Sequence, residues 1–411
     1  MQREIQINIL KELMRQLDEK KNIDAGVQYI NPTSSYTCPD MAKQEWQTFF
    51  KQHPQMIGLS GDLPKKATYF TVDDFGIPVL ATRDNQGRFR AFVNACRHRG
   101  VRVAQQPRGD ASTFTCVFHN WTYSNGGILV SIPREHDFGE VDKSCYGLIE
   151  LPAEEKHGLL FVHPSPKGQL DVDELLGGLG PELEGWNFDK LIYAGESVFR
   201  NDLNWKLAND TFGETYHFPR LHKNTLANLF HGDALVYEEF KRNHRFVWAN
   251  RTIDRLREQP ESEWNYSEGA GWLYFLFPNI QLTGGNDSSS VIKIYPDAEN
   301  PGKSITRVGH YFSPEIVEQA KAASSNISKE DVYSIEGREN AAKHSLAASM
   351  EVFDSTIEKE DYLMGETTQK SAESGLIDHV IFGRNEPALH HYHNNYREAL
   401  GLPPMNKVGG A

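Results

Sequence analysis

Cysteine is scarce in this sequence. Four cysteines among 411 residues cannot staple a chain of this length, which excludes a disulfide framework and fits a reducing compartment. Long apolar runs are missing too: no stretch approaches the roughly 18 residues of a membrane span. The first twenty positions carry charges throughout and lack the apolar core of a secretory signal, so a cytoplasmic protein with no membrane partner is expected. Positive charge is in deficit, with 43 Lys and Arg against 56 Asp and Glu and a formal charge of −13. Nucleic-acid phosphates demand clustered Lys and Arg, and without such a cluster no nucleic-acid partner is expected. Internal repeats and low-complexity tracts are absent. No Gly-x-Gly-x-x-Gly follows a strand, since Gly178-Leu179-Gly180 lacks the third glycine, and neither Gly-x-Ser-x-Gly nor a P-loop occurs. No nicotinamide or flavin site is legible, so any electrons this chain uses come from a separate protein.

What is present is an ordinary globular composition, 39% apolar and 11% aromatic, in a chain longer than the size at which one core stops growing. Two core-forming domains are therefore expected. Leu10, Leu13, Met14 and Leu17 form one stripe of an amphipathic helix. A loop at 31–39 leads into a second helix from about Met41 to His53. From Ala67 the apolar period changes to two, predicting strands at 68–72, 77–82 and 89–93, with Asp84-Asn85-Gln86-Gly87 as a turn. Strands at 113–116 and 159–162 extend this small β domain. A Pro/Gly-rich stretch at 164–181 reads as a boundary. Beyond it, alternating segments at 193–199, 246–250, 272–277, 280–283, 291–295 and 306–312 predict an antiparallel sheet. Helices are expected through the stretch 204–222, from about Pro314 to Gln369 with a break near Asn326, and from Glu386 to Leu400. The fold class expected is α+β, in three parts: an N-terminal helical segment (1–45), a β domain (46–165) and a domain of helices laid against a sheet (166–411).

Two of the cysteines sit in metal-ligand spacing. Cys96-x-His98 and Cys116-x2-His119 put one thiolate and one imidazole on each of two loops of the β domain. Iron–sulfur clusters need thiolates, and two histidines replacing two of them on one iron make a Rieske centre. A Cys2His2 zinc site is the rival, but zinc fingers pair cysteine with cysteine and histidine with histidine. Cys38 and Cys145 are the remainder and read as bystander thiols. The stretches Val93 to Gly100 and Phe114 to Tyr123 resemble the Rieske domain of ring-hydroxylating Rieske non-haem iron oxygenases. Respiratory Rieske proteins carry an extra cysteine pair that joins the cluster loops, and neither loop has a spare cysteine here. The resemblance implies an all-β [2Fe-2S] domain followed by a helix-grip catalytic domain.

The second constellation is Glu214-x2-His217-x4-His222. Glu214 and His217 fall on one face of the expected helix. His222 lies about 140° further round an ideal helix, so Pro219 has to end the helix for His222 to fold back. Two imidazoles and a carboxylate form the facial triad that leaves positions open on Fe(II). With Asn204-Trp205-Lys206 ahead of it, the segment is similar to the catalytic-helix motif of the same family. The resemblance implies that the third ligand is an acid on a C-terminal helix, in a pattern matched by Glu360-Asp361-x4-Glu366-x2-Gln369. Asp361 is the expected ligand, with Glu360 the alternative among the acids near 354–361. It also implies that Glu214 bridges His217 to His119 of a neighbouring subunit in a head-to-tail trimer, α3 or α3β3. Most members carry Asp at that position, and Asn209-Asp210 replaces the usual Glu-Asn pair, so Asp210 reads either as a pocket residue or as a helix-surface carboxylate. Phe212, Phe218, Leu226, Leu229 and Phe230 flank the motif as pocket wall or as core. His390, His391 and His393 read as part of the last amphipathic helix.

The function these resemblances imply is that of a terminal oxygenase with a Rieske [2Fe-2S] cluster and a mononuclear Fe(II). It would take O2 and electrons from a separate NAD(P)H reductase, with or without a ferredoxin, and hydroxylate or cis-dihydroxylate an aromatic small molecule. Monooxygenation leading to N- or O-demethylation, as of a quaternary ammonium compound, is the alternative within the enzyme class. A Rieske-type electron carrier would need only about the first 165 residues, and a zinc-stabilised binding module would hold no iron.

Overall fold

The computed structural model of the chain describes residues 1–285, 287–323 and 332–409; the expected break near Asn326 lies outside them. The chain divides into two compact units. One comprises Trp46–Leu175 and Asn187–Ile192, the other Met1–Glu45, Leu176–Trp186 and Tyr193–Ala411. The fold class is α+β.

The first unit is built from short strands. Thr68–Val72, Val79–Arg83 and Phe89–Val93 form the centre of a five-stranded sheet, and Thr113–Thr115, Thr122–Ser124 and Leu129–Ser131 form a three-stranded one. Alternation sends Leu80, Phe92, Phe114, Tyr123 and Leu129 into one core that also takes up Cys96 and Cys116. The expected helix at 41–53 is an α-helix over Pro39–Glu45 followed by a π-helical turn over Trp46–Lys51.

In the second unit, helix α1 (Arg3–Glu19) precedes a sheet of seven strands: β1 (Ile192–Asn201), β2 (Phe230–Phe240), β3 (Asn243–Asn250), β4 (Ala270–Leu276), β5 (Ile280–Gly284), β6 (Ser288–Pro296) and β7 (Ser304–Phe312). Their order is β1-β7-β6-β5-β4-β3-β2, and each pair from β2 to β7 is antiparallel. One row of directly opposed residues runs Phe246, Leu273, Thr283, Ser290, His310, and the next runs His244, Phe275, Gln281, Ile292, Val308. Opposed residues share a face, so both rows project to one side. That side is covered by α2 (Trp205–Asp210), α3 (Leu346–Thr356), α4 (Tyr362–Glu373) and α5 (Pro387–Ala399). The other side buries Trp272 and Tyr274 beneath Trp186, together with the ion pair of Arg245 and Glu182.

Strand β2 is absent from the sequence expectation. Its residues include Gly232, Asp233, Glu238 and Glu239, and its register with β3 breaks between Phe230 and Leu235, which destroys the two-residue period. The Gln16 side chain of α1 repairs the break: its amide donates to the Leu235 carbonyl at 2.9 Å and its oxygen accepts from the Leu235 N–H at 2.8 Å.

Candidate metal centres

The two Cys/His loops repeat one backbone design. The Cys96 N–H donates to the Val101 carbonyl, and the Gly100 N–H donates back to the Cys96 carbonyl; Cys116, Trp121 and Asn120 do the same in the second loop, with all four bonds at 2.8 or 2.9 Å. In each, the fourth residue after the cysteine is left-handed, φ 76° at Gly100 and 55° at Asn120. Both thiols are buried while His98 is half-buried and His119 exposed. The imidazoles meet edge to face with centroids 4.6 Å apart, and His98 stacks on Trp121 at 5.2 Å. Burial, with His119 and Arg99 adding to it, lowers the pKa of His98 and favours the neutral ring a ligand must present. The Tyr123 hydroxyl accepts the Arg97 N–H at 2.9 Å and lies 3.3 Å from the Cys96 sulfur. Two thiols and two imidazoles on adjoining loops of a β domain fit a Rieske cluster.

The second centre gathers residues far apart in sequence. Ligand atoms of His217, His222 and Asp361 all lie within 4.8 Å of one another. Oδ1 of Asp361 is 3.1 Å from Nε2 of His222 and 3.4 Å from Nε2 of His217. The outward nitrogens are held by other carboxylates: Nδ1 of His217 by Glu214, and Nδ1 of His222 by Glu360 at 2.6 Å. Thr225 donates to the same Glu360 oxygen at 2.9 Å. A ring that gives its Nδ1–H to a carboxylate presents Nε2 as a lone pair, so both tautomers are set for metal binding. Burial disfavours the charged form of His217, but Asp361 and Glu214 outweigh it and raise its pKa to about 10. Burial likewise pushes the Asp361 carboxyl up, and the two imidazoles outweigh that and hold it below the usual carboxylate range. Three carboxylates around two imidazoles call for positive charge, and the donor set suits Fe(II).

The helix expected through 204–222 ends at Asp210 instead. Thr211, Gly213 and Thr215 are poor helix formers, and Gly213 is pressed so closely on Leu389 and Tyr392 that a Cβ would come within 3 Å of each. Glu214 therefore does not share a helix face with His217. It accepts the His217 backbone N–H at 3.1 Å, as a cap would, and turns its other oxygen to the ring of the same residue. Pro219 follows a chain already in turns, so ending the helix is not its role.

The acidic pair sits on a π-helical turn, Ile357–Asp361, between α3 and α4. Asp354 faces the sheet, bonded to His310 and Ser197, and eight residues later Tyr362 faces it again, its hydroxyl 2.8 Å from that of Thr306. In an unbroken α-helix two such residues point about 80° apart; one extra residue absorbed by the turn reduces the offset to roughly 20°. Nothing in the sequence signals this turn, and the position of Glu360 behind His222 depends on it. Asp210 is not brought to this group: it bonds His393 at 2.9 Å and Tyr36 at 2.8 Å. His391 meets His244, nitrogen to nitrogen, at 3.1 Å. Phe218, Leu229 and Phe230 form one cluster with Leu226, Trp248 and Ile335, whereas Phe212 turns to Tyr362.

Residues 188–402 match the family model for the ring hydroxylating alpha subunit (catalytic domain), and residues 53–146 match the Rieske [2Fe-2S] domain. The glycine betaine monooxygenase oxygenase subunit of Chromohalobacter salexigens is 30% identical over 203 residues, 49% of this chain and 45% of that protein. The biphenyl 2,3-dioxygenase subunit alpha of Rhodococcus jostii is 30% identical over 188 residues, 44% and 41%. The chain thus spans less than half the length of these two curated relatives. Among solved structures, a quaternary ammonium Rieske monooxygenase superposes with a TM-score of 0.72 at 19% identity, covering 91% of this chain and 96% of the other. A naphthalene 1,2-dioxygenase gives 0.64 at 18%, covering 92% and 93%; both likenesses show the fold. Among the described residues, no helix is long and apolar enough to cross a membrane.

Proposed function

This chain belongs to the ring-hydroxylating alpha-subunit family of Rieske non-haem iron oxygenases, and from that premise we propose that it is the terminal oxygenase of a multicomponent system. Its substrate is a small aromatic molecule, hydroxylated or cis-dihydroxylated with electrons from a separate NAD(P)H reductase, with or without a ferredoxin. Cys96, His98, Cys116 and His119 hold the family's [2Fe-2S] cluster, and His217, His222 and Asp361 its mononuclear iron. When bound, these groups supply one-electron transfer and dioxygen activation. The convergence of His217, His222 and Asp361, in a chain that also carries the two Cys/His loops, is the observation that supports this reading.

The chain's own residues have separable tasks. Glu214 and Glu360 hold the outward ring N–H groups and so aim both Nε2 atoms to the Asp361 side. Phe218 stands edge-on to both rings, with centroids 5.0 Å and 5.5 Å away, and keeps bulk water from that side. Three protein donors would leave the metal further positions for dioxygen and substrate. Carboxylate oxygens accept more than one hydrogen bond, so Glu214 retains capacity for an outside donor. That capacity is what a bridge to a neighbouring subunit requires in the proposed trimer, α3 or α3β3.

A second reading is monohydroxylation leading to N- or O-demethylation. Glu214, where most of the family has Asp, and the match to a glycine betaine monooxygenase subunit support it. Anaerobic preparation tests the common core: about three irons and about two labile sulfides per chain are expected. About two irons would leave only the electron carrier, and zinc without sulfide would end the reading. Product analysis with a compatible reductase separates a diol or phenol from released formaldehyde.

A further inference from the structure

A polar group stands on the helix-covered face of the sheet, apart from the metal ligands. Nε2 of His310 lies 2.9 Å from Oδ1 of Asp354, the Ser197 hydroxyl donates to the other Asp354 oxygen at 2.5 Å, and the Ser290 hydroxyl lies 3.1 Å from Nδ1 of His310. Asp354 and His310 are buried, at 8% and 3% exposure. Among the described residues no lysine or arginine reaches Asp354. The basic side chains of the neighbouring strands, Lys293 and Arg307, project from the opposite face and pair there with Glu196. A buried carboxylate answered only by a hydroxyl and an imidazole lacks the permanent cation that such a group ordinarily has.

Position gives this group a purpose. Asp354 lies seven residues before Asp361, roughly 10 Å along the helix axis. His310 and Ser290 end a row whose other members include Phe246, and two residues further along that strand, on the same face, Trp248 joins the aromatic cluster of Phe218 and Phe230. Strands β3 and β7 are four apart in the sheet, about 19 Å. The helix-covered face of the sheet is therefore apolar and aromatic at the end beside His217 and His222, and polar at the end marked by Asp354. Thr283, Ser288 and Ser290 remain partly exposed on this covered face, and a Cβ added at Gly285 would meet nothing within 4 Å.

We propose that Asp354, held by His310 and Ser197, is a substrate-recognition carboxylate, and that the substrate class is an aromatic or similarly apolar compound bearing a cationic nitrogen at the end remote from the oxidised carbon. The proposal rests on the oxygenase reading above. An ammonium supplies the missing charge and its N–H groups bond the carboxylate, whereas a carboxylate substituent sets two like charges together.

Three probes of matched shape test it on the anaerobic holoenzyme by calorimetric titration: phenethylammonium, 3-phenylpropionate and ethylbenzene. The parent enzyme should bind phenethylammonium roughly tenfold or more tighter than phenylpropionate. Asp354→Asn should lose about tenfold for the ammonium and stay within about twofold for ethylbenzene. Equal or reversed preference in the parent overturns the proposal, and so does a variant that weakens all three probes alike. If Asp354→Asn fails to load iron, the parent's ratio of ammonium to carboxylate decides alone. Iron and sulfide measured on the same preparation keep the two levels apart: full cofactor content without ammonium preference sinks this proposal and leaves the oxygenase reading standing.

Discussion

The two candidate metal centres are built by opposite strategies. In the Cys/His loops the donors lie within 24 positions, from Cys96 to His119, the thiols are buried, the imidazoles face outward, and among the described residues no carboxylate bonds either ring. At the second centre the donors come from segments 139 positions apart, His222 to Asp361, and each imidazole has a carboxylate behind it. A local centre is shaped by backbone turns, a dispersed one by side chains that hold other side chains. The first depends on which residues are neighbours in the chain, the second on how a whole helix is phased.

The largest effect that would break this comparison is at the dispersed centre. Asp361→Ala should lower iron from about three to about two per chain with sulfide unchanged at about two, and retention of all the iron would remove Asp361 from the ligand set. Next in size, Glu360→Gln should weaken Fe(II) binding roughly tenfold to a hundredfold, as loss of a group orienting a ligand does. An affinity equal to the parent's in a competition titration would show that His222 needs no support from behind. Buried against surface imidazoles also sets an acid limit. Burial lowers His244 far below the ordinary histidine range, with His391 adding to it, and burial lowers His391 itself. Both folded values lie below the unfolded value of about 6.5, so the unfolded chain takes up protons first as pH falls. Stability is complete above about pH 6.5 and declines below it, by up to about 1.4 kcal/mol per pH unit for each histidine. Calorimetry of the catalytic unit's transition between pH 7.5 and 5.5 checks this, and a flat melting temperature would contradict it. The smallest effect belongs to the loops. Asn120→Gly relieves a left-handed asparagine where the sister loop has Gly100, and should stabilise by roughly 0.5–1 kcal/mol. A lower melting temperature for that variant would mean that the Asn120 side chain itself contributes.

The same contrast explains what was legible in the sequence. Cys96, His98, Cys116 and His119 could be read directly, because short turns keep sequence neighbours together. His217 and His222 were recognisable by spacing, yet the helix expected to carry them stops at Asp210, since Gly213 packs too tightly for any larger residue. Glu360 and Asp361 could not be ranked on physical grounds from sequence, because adjacent acids on a helix differ only in direction, and direction is decided by a turn without sequence signature. Strand β2 was invisible because its polar residues and register break hide the alternation. The His310–Asp354 pair was out of reach for a plainer reason: nothing along the chain announces that positions 44 apart will meet.

The π-helical turn makes the mononuclear centre sensitive to chain length in a way no substitution reproduces. It works as a frame shift within a helix: one surplus residue lets α3 and α4 both keep their registration with the sheet while two consecutive acids reach opposite sides of one imidazole. Removing Lys359 would restore an uninterrupted helix in which Asp354 and Tyr362, then seven residues apart, still point within about 20° of each other, so α3 and α4 keep their phase while the widened turn carrying Glu360 and Asp361 is lost. Asp354 would keep His310 and Tyr362 would keep Thr306, but Glu360 and Asp361 would lose the turn that sets them on opposite sides of His222 although both side chains were still present. Length at this one place, rather than identity, is the variable that spaces the two acids around His222.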